Sequence, residues 1–212
     1  MLIEHLNLLP CPVCNEFYTW SVDGITHENQ VLEGKVTCGN GQSWKVVQEI
    51  LRFDKEESSE DIIYSDREKT GYPKQVREQE RLPFLDFIDS YFKSIKFDHK
   101  YVLVSGEPVL LYRYLEDKSK HYITIYDDEG VLRQLHETAV GNRMHENHSF
   151  IRSQMGIQTD ITNKLIIFPK RRVNSIPAKS LILQFIPISE ETKGKIIWTG
   201  EEYKLEELTN IM

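Results

Sequence analysis

The sequence predicts an α/β protein that carries a small β-rich module ahead of its main domain. Three closely spaced cysteines, Cys11, Cys14 and Cys38, mark the module. Strand-like and helix-like segments then alternate over residues 101–138, which is the pattern of a parallel sheet with crossover helices. Between these regions the acidic segment 54–72 cannot bury enough apolar surface to fold alone, which predicts a linker. The predicted divisions are a module over 1–53, a linker over 54–72 and a domain over 73–212.

The composition is that of a folded, water-exposed protein. Of the 212 residues, 40% are hydrophobic and 28% are charged, and the formal net charge of -7 argues against broad, nonspecific binding to nucleic acid. No stretch approaches the roughly 18–20 consecutive apolar residues of a membrane-spanning helix, and residues 1–10 lack the basic start of a secretion signal. We therefore predict a cytoplasmic protein with no membrane partner.

The cysteine spacing predicts a zinc ribbon. Cys11 and Cys14 can present two thiolates to one metal ion from a single turn, and Cys38 can add a third from a returning hairpin. A tetrahedral zinc site needs a fourth ligand, but Gly41 and Gln42 occupy the positions where a cysteine or histidine is expected. The predicted metal ligands are therefore three thiolates, with the fourth position open.

Several groups are candidates for this fourth position. His5 and His27 lie in the same segment, and a water molecule or a residue of a partner protein could also serve. Alternatively, the module folds without metal on an apolar core; the core residues would be Trp20, Val36, Trp44 and Val46. Its predicted strands cover 17–22, followed by a turn at Asp23 and Gly24, then 31–38 and 43–47.

Three stretches of the module, about a quarter of the chain, carry a family resemblance: 9–14 (LPCPVC), 32–38 (LEGKVTC) and 44–53 (WKVVQEILRF). They resemble the zinc ribbon at the front of many bacterial S-adenosylmethionine-dependent methyltransferases. They are also similar to the short zinc-ribbon proteins that activate tRNA and rRNA methyltransferases as separate subunits. Gln42 stands where the ribosomal RNA guanine methyltransferases have a histidine. The last stretch matches the family in type at Trp44, Val46, Ile50 and Phe53 and departs from it at Lys45, Gln48, Glu49 and Leu51.

An aromatic helix is predicted to follow the linker. Pro83 suits a first-turn position, and six large apolar residues recur at helical spacing after it. These residues are Phe84, Phe87, Ile88, Tyr91, Phe92 and Ile95. A stripe of this width is typical of a helix that packs on a core.

The stretch 100–135 allows two interpretations. In the first, strands over 101–104 and 122–126 alternate with helices over 108–117 and 129–138, which resembles the opening of a class I methyltransferase and gives a reduced Rossmann-like domain. Asp127 would then occupy the position from which that family binds the ribose of S-adenosylmethionine. In the second, turns at 105–108 and 127–130 join antiparallel hairpins, which gives an α+β fold with a β-meander and no cofactor site.

The predicted cofactor loop departs from the family pattern. The family has an acidic residue followed by three alternating glycines, whose missing side chains let the backbone approach the cofactor. Here Val104 replaces the acidic residue, Pro108 and Leu110 replace two glycines, and Gly106 alone remains. The 112 residues from Tyr101 onward also fall short of the roughly 150 of a full seven-stranded domain, so helices or strands are expected to be missing.

The remaining segments carry weaker signals. We expect 141–160 to be irregular, with His145 and His148 as an incomplete metal pair, and 201–212 to form a short helix or tail. Strands are predicted over 164–168, 181–188 and 195–199. Three consecutive cations, Lys170, Arg171 and Arg172, form a solvated loop or a contact for RNA phosphate or an acidic partner.

Two functions follow from these patterns. The first is a non-catalytic, methyltransferase-like accessory protein that binds a protein partner, such as an active methyltransferase, or an RNA. The second is an active methyltransferase with a divergent loop, in which Gly106 passes the cofactor and Asp127 holds its ribose.

Overall fold

The computed structural model describes residues 1–15, 20–53, 75–94, 99–105, 119–142, 145–153, 164–167 and 180–209. The chain forms two compact units. Unit 1 comprises Met1–Ile63 and His121–Ile161, and unit 2 comprises Tyr64–Lys120 and Thr162–Met212. The predicted linker over 54–72 lies outside the described residues. No helix in the described part is long and apolar enough to cross a bilayer.

The described residues form three α-helices and eleven β-strands. The helices are α1 (Ile3–Leu6), α2 (Arg81–Ser94) and α3 (Glu129–Gly141). The strands are β1 (Ser21–His27), β2 (Gln30–Thr37), β3 (Ser43–Val47), β4 (Ile50–Arg52), β5 (Tyr101–Ser105), β6 (His121–Tyr126), β7 (His148–Arg152), β8 (Lys164–Ile167), β9 (Leu181–Pro187), β10 (Lys195–Thr199) and β11 (Tyr203–Thr209).

Unit 1 begins with an antiparallel meander. Strands β1, β2, β3 and β4 pair in chain order, which confirms the two later ribbon strands. The predicted turn at Asp23 and Gly24 is wrong, because both residues lie inside β1. Gly24 faces Gly34 across the pair, where a Cβ atom would lie 2.2 Å from the carbonyl oxygen of Glu33. The glycine therefore serves the close approach of two strands, and the chain turns after His27 instead.

The four residues predicted as the apolar core of the module are buried on one side of this meander. Trp20, Val36, Trp44 and Val46 are all buried. The rings of Trp44 and Phe53 meet edge to face with their centroids 5.4 Å apart, a favourable geometry for aromatic pairs.

Parallel strands continue the sheet of unit 1. Strand β4 pairs in parallel with β7, and β7 pairs in parallel with β6. The expectation that 141–160 is irregular is wrong at β7, whose five residues are all buried. The sequence does not predict this strand because three of its residues are polar. His148, Ser149 and Arg152 are nevertheless buried, and each has a hydrogen-bonding partner.

Unit 2 contains a second parallel run. Strands β5, β8 and β9 pair in parallel, and β11 then pairs antiparallel with β9 and β10. The predicted C-terminal helix is wrong, because β11 pairs with β9 over seven positions from Tyr203 to Thr209. Glu206 is buried in this strand, where Oε1 accepts from Gln184 and Oε2 accepts from the backbone of Lys193 and Gly194.

The fold is therefore a mixed α/β, Rossmann-like arrangement with an additional antiparallel sheet portion. The parallel pairing of β5 and β6 with their neighbours confirms the first interpretation of the stretch after residue 100, and the antiparallel meander is wrong for the described strands. The described residues after residue 100 include seven strands, so the expected shortage of strands is not observed there. The predicted helix over 108–117 lies outside the described residues.

Helix α2 packs within unit 2 through the predicted stripe of large apolar residues. Phe84, Ile88 and Phe92 are buried, and Phe87 and Tyr91 are half-buried, while Ile95 lies outside the described residues. The ring of Phe84 contacts two aromatic side chains from strands, with centroids 5.8 Å from Phe185 and 5.0 Å from Trp198. The stripe is therefore core, as predicted.

Candidate metal centre and the carboxyl edge of the sheet

The three cysteines of unit 1 converge. The sulfur atoms of Cys11, Cys14 and Cys38 all lie within 4.8 Å of one another, and the Cys14 and Cys38 sulfurs are 3.9 Å apart. Two thiolates bound at about 2.3 Å to one tetrahedral zinc ion are about 3.8 Å apart. The described structure therefore brings together the three residues that the sequence predicted, at a spacing that suits a metal ion.

Two backbone turns hold the sulfurs in place. In the first, the amide of Asn15 donates to the carbonyl of Cys11 at 2.8 Å. In the second, the amide of Gly41 donates to the carbonyl of Cys38 at 2.8 Å, and Gly41 has the left-handed φ of 78° that favours glycine. These turns place Cys14 and Cys38 side by side without a disulfide.

The first turn favours the thiolate form of Cys11. Burial alone would raise the pKa of this thiol, but hydrogen bonds from the backbone amides of Cys14 and Val13, and from the Cys14 and Cys38 side chains, outweigh burial and lower the pKa. Since thiolates are the species that bind metal, the local chemistry fits a metal site as well as the spacing does.

Neither predicted histidine reaches the cysteines. His5 is fully buried, with Nδ1 2.8 Å from Ser149 Oγ and Nε2 3.1 Å from His121 Nδ1, so its ring is used elsewhere. His27 is exposed at the end of β1. Within the described residues, no fourth cysteine, histidine or carboxylate joins the three thiols.

The predicted pair His145 and His148 does not form a described metal group. His148 is buried in β7, where its Nε2 lies 2.8 Å from Thr124 Oγ1 and its ring stacks on Phe150 with centroids 4.3 Å apart. Burial lowers its pKa well below the usual value, which keeps the ring neutral. The structure therefore uses His148 as a core residue, and the side chain of His145 lies outside the description.

Asp127 lies where the sequence predicted it. It directly follows β6, at the carboxyl end of the parallel strands of unit 1, and it is half-buried. In open α/β sheets, ligands bind at this end of the strands. Its predicted partner Gly106 lies outside the described residues, as do Lys170, Arg171 and Arg172.

A charged cluster that the sequence did not predict lies at the same edge. Arg52 ends β4 and Arg152 ends β7, and the two are paired in register. Glu129, the first residue of α3, accepts from Arg52 Nη2 at 2.5 Å and from Arg152 Nη1 at 3.1 Å, and Arg133 also binds it at 2.6 Å. Asp128 caps the helix by accepting from the Val131 amide at 3.0 Å. The cluster fastens α3 to the ends of two strands.

The cations of this cluster hold Glu129 in its charged form. Burial would raise the pKa of Glu129, but the hydrogen bond from Arg133 and the charges of Arg52, Arg133 and Arg152 outweigh it and lower the pKa from 4.5. A carboxylate with a depressed folded pKa stabilises the fold above its unfolded pKa, and this contribution is lost as the pH falls through the folded value.

Replacing this carboxylate should therefore remove a pH-dependent part of the stability. At neutral pH, Glu129→Gln is expected to lower the free energy of unfolding by about 1.5–3 kcal/mol, because two part-buried arginines lose a charged acceptor. The difference from wild type should shrink as the pH falls below 4.5. Urea unfolding over a pH series measures it. Glu137→Gln, at an exposed site on α3, is the matched control and should follow wild type. A difference that stays constant at every pH contradicts the assignment.

Comparison with known proteins gives distant similarity only. No protein-family model matches this chain, and no curated protein matches it in sequence. A SAM-dependent methyltransferase from Thiobacillus denitrificans, solved in complex with S-adenosyl-L-homocysteine, is similar with a TM-score of 0.36 and 11% identity over 59% of this chain and 57% of that chain. The MccD protein is similar with a TM-score of 0.31 and 11% identity over 50% and 56%. The chain thus spans little more than half the length of either structure.

Proposed function

We propose that this chain is a non-catalytic, methyltransferase-like accessory protein that binds a protein partner. The observation that carries the proposal is Val104. This residue stands in the place of the acidic residue in the family's cofactor loop, and it is fully buried in β5, paired with Ile167 of β8. The side chain of a valine supplies no hydrogen-bond acceptor to a cofactor. The parallel framework is therefore retained while a polar contact that would bind S-adenosylmethionine is replaced by core packing.

A zinc ion bound by the cysteine group would support the accessory role. Cys11, Cys14 and Cys38 would hold zinc as three thiolates, and the ion would fix the two turns relative to each other. One tetrahedral position would then be left for a water molecule or a partner's side chain. Val13, in the turn between two of the ligands, is an exposed apolar residue with 53% of its surface accessible. An apolar side chain beside an open coordination position suits a protein partner, and an active methyltransferase is the partner that the sequence resemblance favours.

Calorimetric titration with S-adenosylmethionine and S-adenosylhomocysteine tests the absence of a cofactor. We expect no heat of binding up to millimolar ligand. Binding at micromolar concentration would overturn the non-catalytic proposal, because Val104 would then not prevent cofactor recognition. The titration should be performed on the zinc-loaded protein, so that an unfolded module is not the cause of a negative result.

The alternative is an active methyltransferase with a divergent loop. The position of Asp127 directly after β6 favours it, because a half-buried carboxylate at the carboxyl end of a parallel strand can accept from ribose hydroxyls. If the cofactor binds, Asp127→Ala should abolish that binding, whereas Asp23→Ala, at an exposed position in β1, should leave it unchanged. Equal affinity in wild type and Asp127→Ala would exclude this role for Asp127.

The partner is tested by copurification at matched expression levels. Wild type is expected to retain a specific protein through size-exclusion chromatography, and Cys14→Ser is expected to lose it, because the turn that presents Val13 would be released. RNA binding through Lys170, Arg171 and Arg172 is a separate outcome, which nuclease treatment of the complex would reveal. A wild-type protein that elutes alone as a monomer counts against the accessory role.

A further inference from the structure

A second group of potential metal ligands lies in unit 1, apart from the cysteines. The ligand atoms of Glu4, His5 and His121 all lie within 4.8 Å of one another. Glu4 and His5 belong to α1, and His121 is the first residue of β6. Residues distant in sequence therefore converge beside the amino ends of the parallel strands, at the opposite end from Asp127 and the Glu129 cluster.

One histidine of the group is oriented by a hydrogen bond at its second ring nitrogen. Ser149 Oγ, which accepts from the Leu2 amide at 2.9 Å, lies 2.8 Å from His5 Nδ1 and fixes the ring. His5 Nε2 then faces His121 Nδ1 at 3.1 Å, and the two rings meet edge to face, with an interplanar angle of 72°. Metal-bound histidines almost always use their second nitrogen in this way, because that hydrogen bond sets the direction of the ligating lone pair.

The distances suit one small divalent cation. Two nitrogens bound at about 2.05 Å to a tetrahedral ion are about 3.3 Å apart, close to the 3.1 Å between His5 and His121. The Glu4 Oε1 atom lies 3.5 Å from His121 Nδ1, which is the spacing of a third ligand on the same ion. Small movements of the Glu4 and His121 side chains would therefore complete a site of two imidazoles and one carboxylate.

Access from solvent is also present. His5 is fully buried, whereas the side chain of His121 is 21% exposed and that of Glu4 is 56% exposed. A cation could reach the buried nitrogen past the carboxylate, and water could fill the remaining coordination position.

We propose that Glu4, His5 and His121 bind a divalent transition-metal ion, with zinc as the best match to this ligand set. This site is independent of the cysteine group and of the accessory function proposed above. Its chemistry differs from the cysteine group in a measurable way: it has nitrogen and oxygen ligands, while the cysteines supply thiolates. The alternative is a hydrogen-bonded histidine pair whose carboxylate neighbour binds no metal.

Cobalt titration of the metal-free protein distinguishes the two sites. Cobalt bound by cysteines gives strong near-ultraviolet absorption from the thiolates, and cobalt bound by imidazole and carboxylate does not. Wild type is expected to bind one equivalent of cobalt without thiolate absorption. Cobalt bound by the cysteines would be an additional equivalent with thiolate absorption. His121→Ala should lose only the equivalent without thiolate absorption, and Glu4→Gln should weaken it at least tenfold. His27→Ala, at an exposed histidine in the same unit, is the matched control and should bind as wild type does.

Calorimetry with zinc provides the second readout. His121→Ala is expected to bind one equivalent fewer than wild type while keeping its circular dichroism spectrum, since the replaced side chain is partly exposed. The proposal is overturned if cobalt binds wild type only with thiolate absorption, or if His121→Ala and Glu4→Gln take up zinc with wild-type number and affinity. Loss of the cysteine equivalent alone, for example in Cys38→Ser, leaves this site intact and bears only on the proposed function.

Discussion

Phe84→Ala is expected to lower the free energy of unfolding of unit 2 by about 3–5 kcal/mol, the usual cost of removing a fully buried phenylalanine ring. Phe84 is 0% exposed, and its ring contacts those of Phe185 of β9 and Trp198 of β10. Its loss would open a cavity between α2 and these strands, because aromatic neighbours on rigid strands cannot close the space. A cost of this size approaches the total stability of many domains.

Urea unfolding followed by tryptophan fluorescence measures this effect. Trp198 is in contact with the deleted ring and reports on unit 2, whereas Trp20 and Trp44 report on unit 1. Leu82→Ala is the matched control, since Leu82 lies on the same helix with 73% of its surface exposed and should cost little. Equal losses in the two variants would show that α2 does not pack through the Phe84 side.

The parallel strands that the sequence predicted are those whose own residues are mostly apolar. Strands β5 and β6 were recognisable as short runs of valine, isoleucine and tyrosine, which suits strands covered on both faces. Strands β7 and β11 were missed because polar residues are buried in them. His148 is held by Thr124, and Glu206 is held by Gln184 and two backbone amides. These partners belong to other parts of the chain, so the sequence of the strand alone does not predict them.

The candidate sites also divide into those that the sequence predicted and those that depend on contacts between distant elements. Cys11 and Cys14 were predictable, because a fixed short spacing on one turn carries the chemistry. The Arg52, Glu129 and Arg152 cluster was not, since it forms only where two strand ends and a helix start meet. His5 shows the limit most clearly: its position suggested a ligand for the cysteines, but the fold turns its ring toward Ser149 and His121. The cysteine spacing therefore predicts the three thiolates, whereas the contacts of the His5 ring depend on tertiary pairing.

Cys38→Ser is expected to abolish metal binding by the cysteine group and to destabilise unit 1 by several kcal/mol. Structural zinc in small folded peptides contributes an apparent free energy of about 10–16 kcal/mol, although a module with its own apolar core depends on it less. Cys38 is buried, and its sulfur lies 3.9 Å from the sulfur of Cys14. Serine keeps the shape but supplies no thiolate at neutral pH. Zinc content and thermal unfolding, with Trp44 fluorescence as the probe of unit 1, measure the change.

A chelator separates loss of metal from loss of packing in this experiment. If zinc holds the two turns together, chelation should lower the melting temperature of wild type toward that of Cys38→Ser and should change the variant much less. If wild type and variant melt together and neither responds to chelator, the packing of Trp20, Val36, Trp44 and Val46 alone stabilises the module. A response retained by Cys38→Ser but removed in Cys38→Ser/His121→Ala would come from the histidine group. The three outcomes assign the stability of unit 1 to thiolates, to apolar packing or to the histidine group.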